Sequence, residues 1–427
     1  MYPGSRRVAP RFSPCPRTSH ISKPRRVFHG WVVVWAAHLV LLTIFGAAYS
    51  FSSFFAPLQA EFAATRAGVS FTFALAVFLY FAVGAVAGVV ADRTHVRWVV
   101  GAGIMCLSGG LVLSSRATTL TGLYAAYGFA IGMGVGCAYV PAIAAVQPWF
   151  VKRRGLAAGI ASSGIGLGTL VAPFVAVRMI EAIGWRATLQ WFAAVALVLG
   201  LAGAVLLEKS PQARGQYPDN EPAAAHGNLA TGGMGWAEAV RSRTFALFFL
   251  TILATGLIQF MPFVHLARHA VDRGFSAAAG ALLLGAIGVG SFAGRIFLAG
   301  LADRFGRRDS YAAMFALMGL SFAWWLVTLA LPPSIVALAL FGLLFGLGYG
   351  GFVGIAPPLA MSYFGGKNLS GLIGLLYCGA GIGTLIAPTF AGWVFDLTAS
   401  YAIPIASGVA CNALGAWIAL RLPKERS

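Results

Sequence analysis

Within GSFAGRIFLAGLADRFGRR, residues 290–308, one arginine, Arg295, stands inside an otherwise apolar run, eight residues before Asp303. A guanidinium offers a planar fork of donors matched to a carboxylate, so its chemistry is the holding of an anion rather than the breaking of a bond. Four tyrosines, Tyr49, Tyr139, Tyr349 and Tyr377, fall deep in other apolar runs and could orient a small ligand through their hydroxyls. His38, a group that can titrate near neutral pH, lies eleven residues before Tyr49 and so on the same stripe of a helix. Asp92 and Arg93, and Asp303, Arg304, Arg307 and Arg308, form two polar clusters at the ends of apolar runs. His265 and His269 have the spacing of a helical metal pair but no third ligand near, so no metal is expected. His-Glu-x-x-His, a Ser/His or paired-Asp arrangement within a span and a phosphate loop are all missing, which argues against an enzyme or a bound cofactor. GIGLG, residues 164–168, imitates a dinucleotide fingerprint, but it lies in an apolar run without the strand that such a loop requires.

The elements that must position these residues are membrane helices. The chain of 427 residues is 59% hydrophobic and only 10% charged, far from the balance of a soluble domain. Apolar runs near 30–57, 69–91, 98–115, 120–148, 155–180, 188–207, 244–267, 277–301, 311–331, 335–363, 370–395 and 401–420 each approach or exceed the roughly 20 residues that cross a bilayer as helix. Backbone amides at that depth have no water to bond, and the alternation of a barrel strand is absent, so an all-α protein of twelve spans is expected.

The net charge of +18 is distributed by sidedness, which removes nucleic acid as a partner. Apart from Arg295 and from Arg66, Arg116, Arg178, Arg186, Arg268 and Arg273, all the Lys and Arg fall on one side of the spans. The positive-inside rule puts that side, with both termini, in the cytoplasm, and the basic tail near anionic lipid. The expected location is a bacterial inner (plasma) membrane. SRRVAPRF in the tail imitates a twin-arginine signal, but a full span without a cleavage site follows it. The cysteines at 15, 106, 137, 378 and 411 are isolated and suggest no disulfide framework.

The chain also repeats itself. Gly128, Gly132 and Gly136 recur as Gly342, Gly346 and Gly350, GTLVAP recurs as GTLIAP, and the second and eighth runs both end in Ala-Asp-Arg, a shift of roughly 211 to 215 residues. Two pseudo-symmetric six-helix bundles follow, related by an axis along the membrane normal, with small residues every fourth position for close helix packing. The boundaries read as a basic tail over 1–27, a bundle over 28–207, a linker over 208–243, a second bundle over 244–421 and a short tail over 422–427. GWAEAV in the linker suits a short interfacial helix.

At 1.5 Å per residue, Arg295 lies about 12 Å inside the end marked by Asp303. A charge there costs about 2.5–3.5 kcal/mol on insertion scales and must face a partner or a water-filled cavity. None of the twelve Asp and Glu lies inside a span, so the missing anion is read as the substrate. The repeat places Gly84 opposite Arg295, leaving charge on one half only, which suits a monoanion.

Twelve helices as six plus six, a long middle linker and Asp-Arg loops after the second and eighth helices resemble the major facilitator superfamily. FHGWVVV (28–34), WFVKRRGLAAGIASSG (149–164) and the arginine before ADRFGRR resemble its monocarboxylate porter and oxalate/formate exchanger branch. Gly88 and Asp92-Arg93 keep part of the family's loop motif, whereas Ala299 replaces a glycine in the second copy. The resemblance implies a gating role for the two clusters and a carboxylate-binding role for Arg295. It favours Tyr139 and Tyr349 over the other tyrosines. Dicarboxylate exchangers of the branch carry a second cation in helix eleven, yet residues 370–395 hold neither Lys nor Arg, so a small monocarboxylate is implied. Proton-coupled members carry an aspartate where Ser291 stands and a lysine in helix one, which is missing here, leaving His38 as the candidate proton group.

The expected function is therefore secondary active transport of a small organic monocarboxylate by alternating access, through proton coupling or anion exchange, by a monomer. The alternative is a carrier of another amphipathic metabolite or drug that does not depend on Arg295.

Overall fold

The computed structural model describes residues 28–150, 153–220, 234–365 and 369–424. The basic tail, residues 221–233 of the linker and Lys367 lie outside the described residues. So do the side chains of Asp92, Arg93 and Asp303, although their backbone is helical.

The apolar runs become α1 (Gly30–Glu61), α2 (Arg66–Ala91), α3 (Val96–Ser115), α4 (Leu120–Trp149), α7 (Arg243–Asp272), α8 (Ala277–Leu298), α9 (Arg307–Thr328), α10 (Ile335–Phe364), α11 (Gly371–Thr398) and α12 (Ala402–Ala419). The fifth and sixth runs appear as one helical stretch, Leu156–Leu206, broken at Gly184, whose φ of 79° is open to glycine at no steric cost. Divided there into α5 and α6, the described residues hold twelve spans. Thr65, Thr119, Ser242, Ser276 and Ser334 each cap a helix, their side-chain oxygens accepting a backbone N–H three residues on; such a cap contributes about 1 kcal/mol.

Packing follows the internal repeat. In the first half α1 packs on α5, α2 on α4 and α3 on α6; in the second half α7 packs on α11, α8 on α10 and α9 on α12. The halves meet through α2 against α11 and α5 against α8. The glycine stripes serve this packing: Gly128, Gly132 and Gly136 face α2, and Gly342, Gly346 and Gly350 face α8.

Irregularities recur in both halves as well. α1 is interrupted at Ser50, between helices Gly30–Tyr49 and Phe51–Glu61, and α7 at Phe260, between Arg243–Gln259 and Met261–Asp272. Turns of π-helix also occur in each half, at Tyr124–Phe129 in α4 and Gly294–Leu298 in α8, positions that the repeat does not relate. The second of these turns carries Arg295.

The two most family-like motifs of the first half touch. Phe28 and Trp31 pack edge-on against Phe150 at centroid distances of 5.5 and 4.9 Å, and the Trp149 indole donates to the carbonyl of Glu208 at 3.0 Å. The start of α1, the turn into α5 and the start of the linker are thereby tied together. The linker helix is short, Trp236–Arg241.

Candidate functional site

Arg295 sits where α8 crosses α10 most closely. A Cβ on Gly350 would overlap the carbonyl oxygen of Ser291, and one on Gly294 would overlap that of Leu347, so only hydrogens fit between the two backbones. The π turn at Gly294–Leu298 re-aims the side chains of this segment, a common device at functional sites. The Arg295 side chain does not run out to the surface; the residue is 6% exposed. Its Nη1 donates to the carbonyl oxygen of Ser162 on α5 at 2.8 Å, a bond from the second half to the first. Its Nε is buried and bonded to no protein atom. A guanidinium held this way keeps an unused edge of donors.

That side chain lines a cavity between the halves, together with Phe45, Tyr80, Phe81, Tyr139, Ile165, Gln259, Tyr349, Phe352, Val353, Tyr377 and Ala380. The cavity has about 20 Å³ of room for water, space for about one molecule and too little for a three-carbon acid. In this conformation the cavity is narrow, and a three-carbon acid fits only once its lining moves apart.

Three of the four tyrosines singled out from the sequence, Tyr139, Tyr349 and Tyr377, line this cavity with Arg295. Tyr49 stands one layer behind: its ring stacks on Phe263 at 4.5 Å, and its hydroxyl lies 3.4 Å from that of Tyr349. Two polar lining residues, Tyr80 and Gln259, escaped the sequence reading. Tyr80 is related by the repeat to Ser291, one helical turn from Arg295, a signal that was available. Gln259 is the one amide in the apolar run of α7, and it ends the helix that breaks at Phe260.

His38 is half-buried outside the cavity. Its Nδ1 is 2.9 Å from the carbonyl of Ile160 and 3.1 Å from the hydroxyl of Ser163, both on α5. A carbonyl only accepts, so Nδ1 carries the hydrogen and Nε2 is the nitrogen free to take a proton. His38 and Tyr49 share a stripe of α1 but not a neighbourhood: His38 faces α5, whereas Tyr49 faces Phe263 of α7 and Tyr349 of α10. The shared stripe fixes a direction, and the partners change with depth. Residues 160–163 of α5 thus hold His38 on one side and Arg295 on the other.

The remaining candidates separate. Arg304 is exposed, Arg307 is half-buried at the start of α9, and Arg308 donates from Nη2 to the carbonyl of Leu420 at 2.6 Å. His265 is engaged by the Ser70 hydroxyl at 3.2 Å, the Pro388 carbonyl at 2.9 Å and the Tyr401 hydroxyl at 3.1 Å, and His269 packs against the rings of Trp325 and Tyr401. Among the described residues no group of three His, Cys, Asp or Glu could hold a metal.

On the face opposite the linker the halves are clasped. Arg66, at the start of α2, makes a two-pronged contact with Asp272 at the end of α7, at 2.6 and 2.9 Å, and donates to the Tyr401 hydroxyl at 2.8 Å. Its guanidinium lies 3.6 Å over the Phe395 ring. Asp396, at the end of α11, accepts the backbone N–H groups of Arg66 and Ala67 at 3.1 and 3.0 Å, so a carboxylate from one half neutralises a helix N-terminus of the other.

Two repeated six-helix bundles clasped at one face, with a buried cation in a narrow cavity between them, suit a multi-pass membrane transporter rather than an enzyme. The chain matches the Major Facilitator Superfamily family model over residues 37–310 and again over 269–427. It is 29% identical over 396 residues to monocarboxylate transporter 12-B of Danio rerio, covering 87% of this chain and 82% of that one. It is also 28% identical to monocarboxylate transporter 11 of Homo sapiens (92% and 83% covered) and 27% identical to monocarboxylate transporter 13 of Rattus norvegicus (95% and 91% covered). The chain belongs to the major facilitator superfamily, in the branch that contains the monocarboxylate transporters.

Proposed function

We propose that this transporter carries a small organic monocarboxylate, held by Arg295 in the central cavity and released alternately to the two sides as the halves rock. The observation that carries the reading is the Arg295 guanidinium: buried, tied by one nitrogen to Ser162, and left with an unbonded Nε beside a narrow cavity. The similar proteins are named for monocarboxylates, and a single fixed cation without a second Lys or Arg in α11 matches one negative charge. Tyr139, Tyr349 and Tyr377 orient the anion, and Tyr49 positions Tyr349 through its hydroxyl.

Transport is coupled to a proton, with His38 as the titrating group, or to exchange of a second anion. The Asp92-Arg93 and Asp303-Arg304 clusters, with Arg307 and Arg308, act as the gate on the linker face, opposite the Arg66 clasp. The positive-inside bias supports a cytoplasmic position for the linker face and both termini. The similar proteins come from animals and lend no support to a bacterial inner membrane. The protein works as a monomer among lipids, its chamber lying wholly within one chain.

Uptake of labelled lactate, pyruvate and formate into proteoliposomes, with and without a proton gradient, tests the reading. Acid uptake that is lost in Arg295→Gln supports it. Uptake that is unchanged in Arg295→Gln favours a carrier of amphipathic compounds, for which the aromatic lining of Phe45, Phe81 and Phe352 would serve.

A further inference from the structure

His265 takes no part in the cavity, yet it is fully buried, 0% exposed, against the clasp that joins the halves. Its neighbours fix where its hydrogens lie. Nε2 is 2.9 Å from the carbonyl oxygen of Pro388 on α11, which only accepts, so Nε2 carries the hydrogen of a neutral ring. Ser70 donates its own hydrogen to the carbonyl of Arg66 at 2.7 Å and turns its oxygen toward the same Nε2 at 3.2 Å. Nδ1 is then an acceptor, and the Tyr401 hydroxyl, 3.1 Å away, donates to it. That hydroxyl oxygen in turn accepts from Nη1 of Arg66 at 2.8 Å. The bonds run from Arg66 to Tyr401 to His265 to Pro388, from the first half into the second, and every hydrogen has a place only while the imidazole is neutral.

A second proton on the ring must go to Nδ1. There it meets the hydroxyl hydrogen of Tyr401, and turning that hydroxyl away leaves it without an acceptor, because Arg66 and His265 are its two bonded neighbours. The Tyr401 oxygen would then face two cations at once. No nearby carboxylate is left to offset the added charge: Asp272 is held by both prongs of Arg66 and lies 3.3 Å from Arg268, and Asp396 accepts the N–H groups at the start of α2. From its remaining sides the ring meets Phe55 of α1 at 5.8 Å and, one turn along its own helix, His269, whose ring packs on Trp325 and Tyr401. A buried charge without a partner is costly, so a protonated ring favours the state in which the halves part here and water reaches it.

We infer that His265 is a proton-binding site that unfastens the clasp: acid on the face opposite the linker protonates it, and the halves separate there. The proton arrives from one face and returns to the same face. The site therefore sets how readily the halves open, apart from any proton that His38 carries across. The inference rests on the reading that the halves rock, and not on what they carry.

The test uses the full-length chain without its native cysteines, in lipid nanodiscs and with no carboxylic acid present. Nitroxide labels on Thr121→Cys and Val336→Cys, both exposed at the starts of α4 and α10 on the clasped face, report the distance between the halves by pulsed electron resonance. From about pH 8 to about pH 5, where exposed imidazoles titrate and ordinary carboxylates stay charged, the ratio of long to short distances should rise at least tenfold in the wild type. His265→Gln and His265→Asn keep a donor and an acceptor but cannot take the proton, and should hold the short distance at both values. His38→Gln should keep the wild-type rise. Equal distances in the wild type at both values overturn the inference, as does a rise that persists in either His265 variant or that His38→Gln abolishes. Long distances in both His265 variants at the higher pH also overturn it, because His265 would then be a brace alone. Asp272→Asn, which breaks the clasp by another route, should give the long distance at both values; a short distance there as well removes instead the rocking on which the inference rests.

Discussion

The Nη1 of Arg295 donates to the carbonyl oxygen of Ser162 at 2.8 Å, joining α8 of the second half to α5 of the first at the level of the cavity. The cation proposed to hold the cargo is thus also a tie between the parts that must move. Anion binding and rocking then share one side chain. Arg295→Lys keeps the charge but loses the fork, and uptake efficiency should fall about 10- to 100-fold, the worth of one charge-assisted hydrogen bond. Arg295→Gln should abolish acid uptake, measured as initial rates in proteoliposomes of matched protein content.

His38 offers a separate test. If Nε2 takes the transported proton, His38→Gln should leave exchange of labelled for unlabelled acid intact while the stimulation of net uptake by an inward proton gradient disappears. Gradient stimulation that persists in His38→Gln would assign the proton elsewhere.

The clasp on the opposite face should hold the chamber shut. Arg66 and Asp272 have side chains 9% and 22% exposed, so Asp272→Asn strands a mostly buried guanidinium. A loss of about 1–3 kcal/mol is expected, below the value for a fully buried pair because Asp272 keeps some contact with solvent. The same change should expose the buried interface: a cysteine at Ser70, which is 0% exposed, should react faster with a membrane-impermeant maleimide when Asp272 is Asn, in a background stripped of native cysteines.

The crossing of α8 and α10 tolerates no added carbon. Gly350→Ala should destabilise by about 1–3 kcal/mol through overpacking and displace Arg295, lowering both the melting temperature in detergent and acid uptake. Gly109→Ala, with nothing within 4 Å of its added carbon, should change neither by more than about 0.5 kcal/mol or its equivalent in rate.

Much of this architecture could be read in one dimension. Helices that cross a bilayer must bond their own backbones, so run length and composition reveal them. The repeat in ADR, in GTLVAP and GTLIAP and in the glycine stripes reveals the two halves. Even Gly184 left a trace, as the gap between the fifth and sixth apolar runs. Arg295 was conspicuous for an energetic reason: a lone charge at mid-depth is too costly to be incidental. Tyr80 and Gln259 were quieter because an uncharged polar side chain in a span costs less and is often satisfied by its own helix, as Thr251 is.

The sequence by itself determined how many times the chain crosses the membrane, that its halves are copies, and that a cation waits at mid-depth without an acid in any of the apolar runs. Only the tertiary structure decided that Arg295 is tied to Ser162, that Tyr49 stands behind Tyr349 rather than at the wall, and that Arg66 finds Asp272 some two hundred residues away. The physical reason is that helix periodicity gives each side chain a direction, whereas its partner depends on which helices cross, at what depth and how closely, and those are properties of the packed bundle.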